Sequence, residues 1–498
     1  MMLNQELCFR AVESRDRRFE GRFVLAVRTT GVYCRPGCPA PLPKRRNCAF
    51  YACAAAAEAE GYRPCRRCRP ETAPGTPAWA GSSATVARAL RTIHRGELDQ
   101  ASVEELAGRL GLGERQLRRL FLEHLGASPA AIARTRRVHF ARRLIDQTDL
   151  PMTEIAFSSG FGSVRSFNQA LRDCFRQSPS ELRATRHAGP RDEGATINLR
   201  LAVRRPFDWP RLLDFLAARA VPGVEEIDGQ SYRRTVRLGQ NGGWIEAIFL
   251  DADDAVELRV SSSLSRHLLE IAERATRLFD LEADPEAIAK HLSADPRLRD
   301  CVSRRPGLRV PGAWDEFETT LRIVLGQQVS VAGATTLHGR LVRRLGPEVA
   351  GGERASAGLT HYTPTARAVA DADLSGLGLT SARAATIASL SRAVANGTLD
   401  LRPRAALESA VDTLASLPGI GSWTAQMIAM RVMGEPDACP SGDLWLKQAF
   451  APTGERLSEA RVEEMSRAWS PWRAYAVVHV LTELGESAGR NTQKGRTR

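Results

Sequence analysis

Two stretches of this chain carry residue types and spacings that could do chemistry. The first is a cysteine cluster. Cys34-Arg-Pro-Gly-Cys38 and Cys65-Arg-Arg-Cys68 form two close pairs. Each pair can present two thiolates from one turn, and together they supply the four sulfurs of a tetrahedral zinc site. A closed four-thiolate site of this kind ordinarily serves structure alone. A thiolate kept deprotonated by zinc is also a nucleophile at neutral pH, so the same residues could accept an alkyl group. Cys48 and Cys53 lie between the pairs and read as small buried hydrophobes. The second stretch is Leu417-Pro-Gly-Ile-Gly-Ser-Trp-Thr-Ala, followed by Cys439-Pro-Ser-Gly-Asp443-Leu-Trp-Leu-Lys-Gln. Gly419 and Gly421 permit a tight turn between helices and close approach of backbone N–H groups to a phosphate. Carbonyls of the same hairpin could hold a monovalent cation, although a Gly-x-Gly pair alone is equally a plain turn. Asp443 ends a Pro/Gly loop before an apolar helix. In isolation it reads as an N-cap. A free carboxylate there could also stabilise a developing positive charge.

The elements that must position these groups can be read from period and punctuation. Residues 70–83 and 187–194, rich in turn-forming or polar residues, read as linkers, and 351–358 and 396–402 as loops between helices. From Thr85 to about residue 186 the pattern is helical and rich in arginine. Within it, Ser102 to Phe121 reads as a helix-turn-helix. Ser102 and Glu105 form a capping box, Leu106 and Leu110 the inner face and Gly111 the turn. Leu117, Leu120 and Phe121 anchor the second helix, whose Arg115, Gln116, Arg118 and Arg119 would face a groove. A second pair runs from Met152, with Thr153 as N-cap, Gly160 in the turn and Val164–Phe175 as second helix. Its Arg165, Ser166 and Asn168 would face DNA. Strand patterns follow at Ile197–Val203, Tyr232–Leu238, Trp244–Leu250 and Ala255–Val260, with a helix at Leu212–Ala220. From Trp314 onward the period is helical throughout.

The chain has 498 residues, too many for one hydrophobic core, and an ordinary hydrophobic content of 43%. Its 70 Lys and Arg exceed its 57 Asp and Glu, for a net charge of +13, which favours a polyanionic partner. No apolar run is long enough to span a bilayer, so no membrane role is expected. The first residues lack the apolar core of a signal peptide. The ten cysteines are therefore expected in a reducing cytoplasm, as metal ligands or thiols rather than disulfides.

Larger resemblances gather these motifs. Phe23-Val-Leu-Ala-Val-Arg-Thr-Thr-Gly-Val-Tyr-Cys34-Arg-Pro with Arg63-Pro-Cys65-Arg-Arg-Cys68 resembles the N-terminal domain of the Ada adaptive-response family over residues 4–72. That likeness implies one Zn²⁺ held by Cys34, Cys38, Cys65 and Cys68, with Cys34 taking a methyl group from a methylated DNA phosphate. Seven surrounding arginines, Arg66 and Arg67 among them, would neutralise phosphates or simply form a solvated face. The two helix pairs resemble an AraC-type DNA-binding domain over residues 84–184, which implies promoter binding, transcription activation and RNA polymerase as a partner. From Ile197 onward, the hairpin and Asp443 together with Phe215-Leu-Ala-Ala-Arg-Ala-Val, Ile323-Val-Leu-Gly-Gln-Gln-Val-Ser-Val-Ala and Trp472-Arg-Ala-Tyr-Ala-Val-Val-His resemble the AlkA type of 3-methyladenine glycosylase, a member of the helix-hairpin-helix-GPD superfamily.

This second likeness makes Asp443 the catalytic carboxylate and Trp423 a stacking surface for a flipped, cationic base, with a core tryptophan as the plainer reading. Lyase-type relatives carry a lysine at the position of Trp423, so a monofunctional hydrolase is expected. The chain departs from the family where pocket aromatics align with Met427 and Leu481, and where the leucine that wedges into DNA aligns with Gln328. No Pro-Cys-His-Arg motif of O6-alkylguanine methyltransferases occurs, so no repair of that lesion is expected. The expected fold class is multidomain and mainly α. It comprises a small zinc-bound α+β domain (1–76), an AraC-type double helix-turn-helix bundle (84–186), an AlkA-type α+β domain (195–308) and an all-α helix-hairpin-helix glycosylase domain (309–490). The expected function joins glycosylase, methyl acceptor and activator on double-stranded DNA. The competing reading is a regulator with a structural zinc and an inert, DNA-clamping glycosylase fold.

Overall fold

A computed structural model describes residues 4–74, 84–185, 196–350, 355–403, 406–451 and 456–496. Most of the expected linkers, 75–83 and 187–194, and part of the 351–358 loop lie outside the described residues. The chain divides into two compact units, and the division falls within one strand. The first unit holds residues 1–204, 236–276 and 281–283; the second holds 205–235, 277–280 and 284–498.

In the first unit, a small sheet is built from β1 (Val24–Val27), β2 (Val32–Cys34), β3 (Cys48–Tyr51) and β4 (Arg63–Pro64), in the order β3-β1-β2-β4. β1 is buried along its whole length, which matches its unbroken apolar sequence. Phe23, Leu25 and Phe50 pack on the helix Gln5–Glu13 through Cys8 and Val12. β2 and β4 run parallel, pairing Val32 with Arg63 and Tyr33 with Pro64. That register brings the ends of the two strands, and so Cys34 and Cys65, side by side.

The helical block follows. Ser102 caps the helix Val103–Arg109 with the reciprocal Glu105 bond of a capping box, as expected. The helix Glu114–Leu125 buries Leu117 and Phe121. The long helix Pro129–Gln147 joins the two pairs, and its nineteen residues span about 28 Å. The second pair is Met152–Ser158 and Val164–Phe175, with Gly160 in the left-handed turn at φ +78°. Here one expectation fails. Pro151, not Thr153, is the N-cap, because proline lacks an N–H and a helix start needs none there, which leaves Thr153 in the first turn. The unit also contains β5 (Thr196–Ala202), β8 (Asn241–Leu250) and β9 (Ala255–Ser261), with β9 antiparallel to both of the others.

The second unit begins with the helix Trp209–Ala217, three residues ahead of the expected start. Asp208 caps it and Pro210 opens it. β6 (Glu225–Asp228) and the first half of β7 (Ser231–Leu238) form a hairpin. The acidic sequence of β6 hid it from a reading by apolar alternation. The helices from Glu316 onward enclose one core that includes Leu321, Val324, Ile387, Leu414, Ala425 and Ile428. Among the described residues no helix is long and apolar enough to cross a membrane.

Candidate metal centre and candidate active site

Cys34 ends β2, and Cys38 follows across a turn closed by Cys38 N–H on the Arg35 carbonyl (3.1 Å). Cys65 follows β4 and donates its N–H to the Tyr33 carbonyl (2.9 Å). One sulfur from each of Cys34, Cys38, Cys65 and Cys68 lies within 4.8 Å of all the others. Three are buried and Cys65 is half-buried. Hydrogen bonding among the four thiols pushes Cys34 up and Cys65 down, as expected of a cluster too crowded to ionise fully on its own. The donor set and spacing fit one tetrahedral zinc. Buried Glu20 braces the site. Its carboxylate pairs with Arg35 (3.2 Å), and a Cβ at Gly37 would stand 2.6 Å from it. Cys48 and Cys53 stay outside the cluster and bond to backbone carbonyls. Burial pushes Cys53 up to about 11. Of the basic residues around the cluster, Arg66 and Arg67 are exposed, whereas Arg69 pairs with Glu71 and Asp146.

In the helix-turn-helix block, Arg115, Gln116, Arg118 and Arg119 are all exposed on one helix, with Arg118 paired to Glu114 (2.8 Å). Arg165 and Ser166 are exposed at the start of the other second helix, and Asn168 is half-buried. Ser163 caps that helix by accepting from the Ser166 N–H.

Asp443 is half-buried and does cap the helix Leu444–Ala449. Its Oδ1 accepts N–H bonds from Trp445 (2.9 Å) and Leu446 (3.2 Å). Its Oδ2 accepts the indole N–H of Trp423 (2.9 Å). The sequence put both residues at the site but did not reveal this bond between them. Trp423 lies on the helix Ser422–Ile428 that follows the glycine hairpin, one turn before Met427, and both side chains border the core. The Pro/Gly loop is anchored by Cys439 N–H on Gln426 Oε1 (3.0 Å). Gly419 has φ +80°, and a Cβ there would collide with Thr386. Leu481 is half-buried on the helix Arg473–Arg496.

Gln328 is exposed and adopts φ +55°, a left-handed conformation rare for a residue with a side chain. Its neighbour Gln327 was missed by the sequence reading. The Gln327 amide donates to the Gly419 carbonyl (2.9 Å) and to Thr424 Oγ1 (2.9 Å), tying the loop of Gln328 to the hairpin. Also missed were the exposed side chains of Val329, Val331, Leu444 and Trp445, which flank Gln328 and Asp443 in sequence. Their only signal was apolar residues beside polar site residues.

Comparison with known proteins follows the same three segments. Residues 7–71 match the metal binding domain of Ada, 106–185 a helix-turn-helix domain, and 198–315 the AlkA N-terminal domain. A Mycobacterium tuberculosis protein described as "Probable bifunctional transcriptional activator/DNA repair enzyme AlkA" is 44% identical over 96% of this chain and 96% of its own length. DNA-3-methyladenine glycosylase 2 of Escherichia coli is 34% identical over 55% of this chain and 93% of that protein. The bifunctional transcriptional activator/DNA repair enzyme Ada of the same organism is 31% identical over 36% of this chain, which spans about half of that relative's length (49%). From its zinc-type cysteine cluster to its helix-hairpin-helix half, this chain belongs to the family of bifunctional transcriptional activator/DNA repair enzymes of the AlkA type.

Proposed function

We propose that this chain hydrolyses the N-glycosidic bond of alkylated purines of the 3-methyladenine type at Asp443. We further propose that it takes methyl groups from DNA methylphosphotriesters on Cys34, and that the helix pairs bind promoter DNA and recruit RNA polymerase. The observation that carries the first reading is the set of three N–H donors on Asp443. These bonds hold the carboxylate in one orientation at the end of the Pro/Gly loop. A purine alkylated on a ring nitrogen is already cationic and leaves with the electron pair of the C1′–N bond. Asp443 then stabilises the oxocarbenium-like sugar and orients the water whose oxygen bonds to C1′. Trp423 stands where lyases carry a lysine, so the reaction ends at an abasic site without strand cleavage. Its face, with Met427 and Leu481, lines the pocket, and Gln328 fills the gap left by the flipped nucleotide. Gly419 and Gly421 admit the DNA backbone, and their hairpin seats a monovalent cation.

At the other site, zinc when bound keeps the thiolates deprotonated. Cys34 Sγ attacks the methyl carbon of the triester, the S–C bond forms as the C–O bond breaks, and a phosphodiester leaves. Methylation removes one negative charge from the cluster, which lowers repulsion toward DNA phosphates approached by Arg66 and Arg67. Arg115, Gln116, Arg118 and Arg119, with Arg165, Ser166 and Asn168, read the groove. The reading keeps the four modules 1–76, 84–186, 195–308 and 309–490. It also makes the chain cytoplasmic, where its ten free thiols stay reduced.

The competing reading draws on the cap geometry of Asp443, since a structural N-cap needs no chemistry. Asp443→Asn separates the two, because asparagine caps as well as aspartate while it removes the charge and puts an amide NH2 where Oδ2 accepts from Trp423. Chromatography of bases released from methylated DNA should show loss of 3-methyladenine release, and wild-type release would favour the regulator reading. A gel assay with the wild-type chain should show abasic sites without nicks.

A further inference from the structure

A second cluster of chemistry-bearing residues lies within the first unit. Glu58, on the short helix Ala54–Ala59, accepts at Oε1 from the Tyr33 hydroxyl (2.8 Å) and the Cys174 thiol (3.4 Å), and at Oε2 from the Thr135 hydroxyl (2.6 Å). His139 Nε2 stands 3.0 Å from both Glu58 Oε1 and the Tyr33 hydroxyl. These five residues come from four elements. Tyr33 is the residue before Cys34 in β2 and is fully buried. Thr135 and His139 lie on the long connecting helix Pro129–Gln147, and Cys174 lies in the last turn of Val164–Phe175.

Glu58, His139 and Cys174 have the residue types of a metal site, with ligand atoms within 4.8 Å of one another. The hydrogen bonds argue otherwise. Both carboxylate oxygens already accept from protein donors, so the cluster is closed as it stands. The members of such a hub are coupled, because freeing one leaves a half-buried polar group short of a partner. Its endpoints are informative. One is the neighbour of Cys34, a buried sulfur with three other sulfurs packed around it, where an added methyl must displace something. The other is the helix whose opposite end, about 14 Å away, presents exposed Arg165 and Ser166.

We propose that Glu58 is a positioning residue that carries the methylation state of Cys34, through Tyr33, to the helix Val164–Phe175. The idea rests on the methyl-acceptor reading of Cys34. The test is amide hydrogen exchange of residues 164–175 in the full chain, before and after reaction with a duplex bearing methylphosphotriesters, which is then removed at high salt. Tyr33→Phe keeps the buried ring and deletes only the hydroxyl. Zinc content of one per chain and one methyl mass on Cys34 confirm that the variant folds and reacts.

In the wild type we expect methylation to change exchange in this helix about fivefold or more. In Tyr33→Phe, and likewise in Glu58→Gln, the change should disappear. An equal response in wild type and both variants would overturn the proposal. So would an unresponsive helix in a wild-type chain that does carry the methyl mass, and in that case the acceptor reading stands. Absence of any methyl mass would overturn both. A second zinc per chain, lost in Glu58→Gln, would also overturn it in favour of a metal site.

Discussion

Cys34 is one of four like groups crowded within 4.8 Å, whereas Asp443 is a carboxylate held by three N–H donors. Under the proposed function, both arrangements hold an electron-rich atom for reaction on DNA, by opposite means. The sulfur depends on a cation to offset its neighbours. The carboxylate is held by backbone and indole N–H groups. A cluster built on a cation should therefore collapse when the cation is withdrawn, and a site built on dipoles should not.

Chelation should produce the largest effect. Structural zinc in small domains contributes apparent binding energies of about 10–16 kcal/mol, so its removal should unfold the segment 4–74. Loss of methyl uptake and of exchange protection there, with base release retained, is the expected result. If chelation abolishes base release as well, the two sites are not independent. Next comes Gly419→Ala. It combines a left-handed φ with a collision against Thr386, at a cost of about 3 kcal/mol. Thermal unfolding should register this in the C-terminal half, and methyl uptake should be untouched.

Trp423→Phe deletes one donor to the Asp443 carboxylate but keeps an aromatic face. Hydrogen bonds to charged groups contribute about 1.5–3 kcal/mol, so kcat should fall by roughly ten- to a hundredfold with a smaller change in KM. A change confined to KM would mean that Trp423 only stacks. The smallest effect is expected at the rim of the zinc cluster. Arg66→Ala and Arg67→Ala should each lower the salt dependence of methyl uptake by about one unit of log–log slope, leaving base release unchanged.

The same contrast explains what could be read in the sequence. The zinc site was legible because its ligands sit in two short pairs, and only the β2–β4 register was needed to bring the pairs together. Ser102, Gly160 and the helix Val164–Phe175 were legible because caps and turns are local. Taken alone, Asp443 was legible as a cap, and the cap is indeed there; its catalytic reading came from the hairpin, the Pro/Gly loop and the family resemblance. What could not be read was the bond from Trp423, twenty residues earlier, and the Gln327 link to Gly419. Neither follows any local period. The Glu58 hub was invisible for the same reason, since Tyr33 and Cys174 meet only through tertiary packing. The early helix starts at Met152 and Trp209 were misjudged where proline stands ahead of the apolar pattern.

The most direct test of the account is made on one preparation of the Asp443→Asn chain, in which 3-methyladenine release from alkylated DNA and methyl transfer to Cys34 are measured side by side. The account predicts that base release falls by about a hundredfold or more while one methyl group still arrives on Cys34. Base release at the wild-type rate would contradict it.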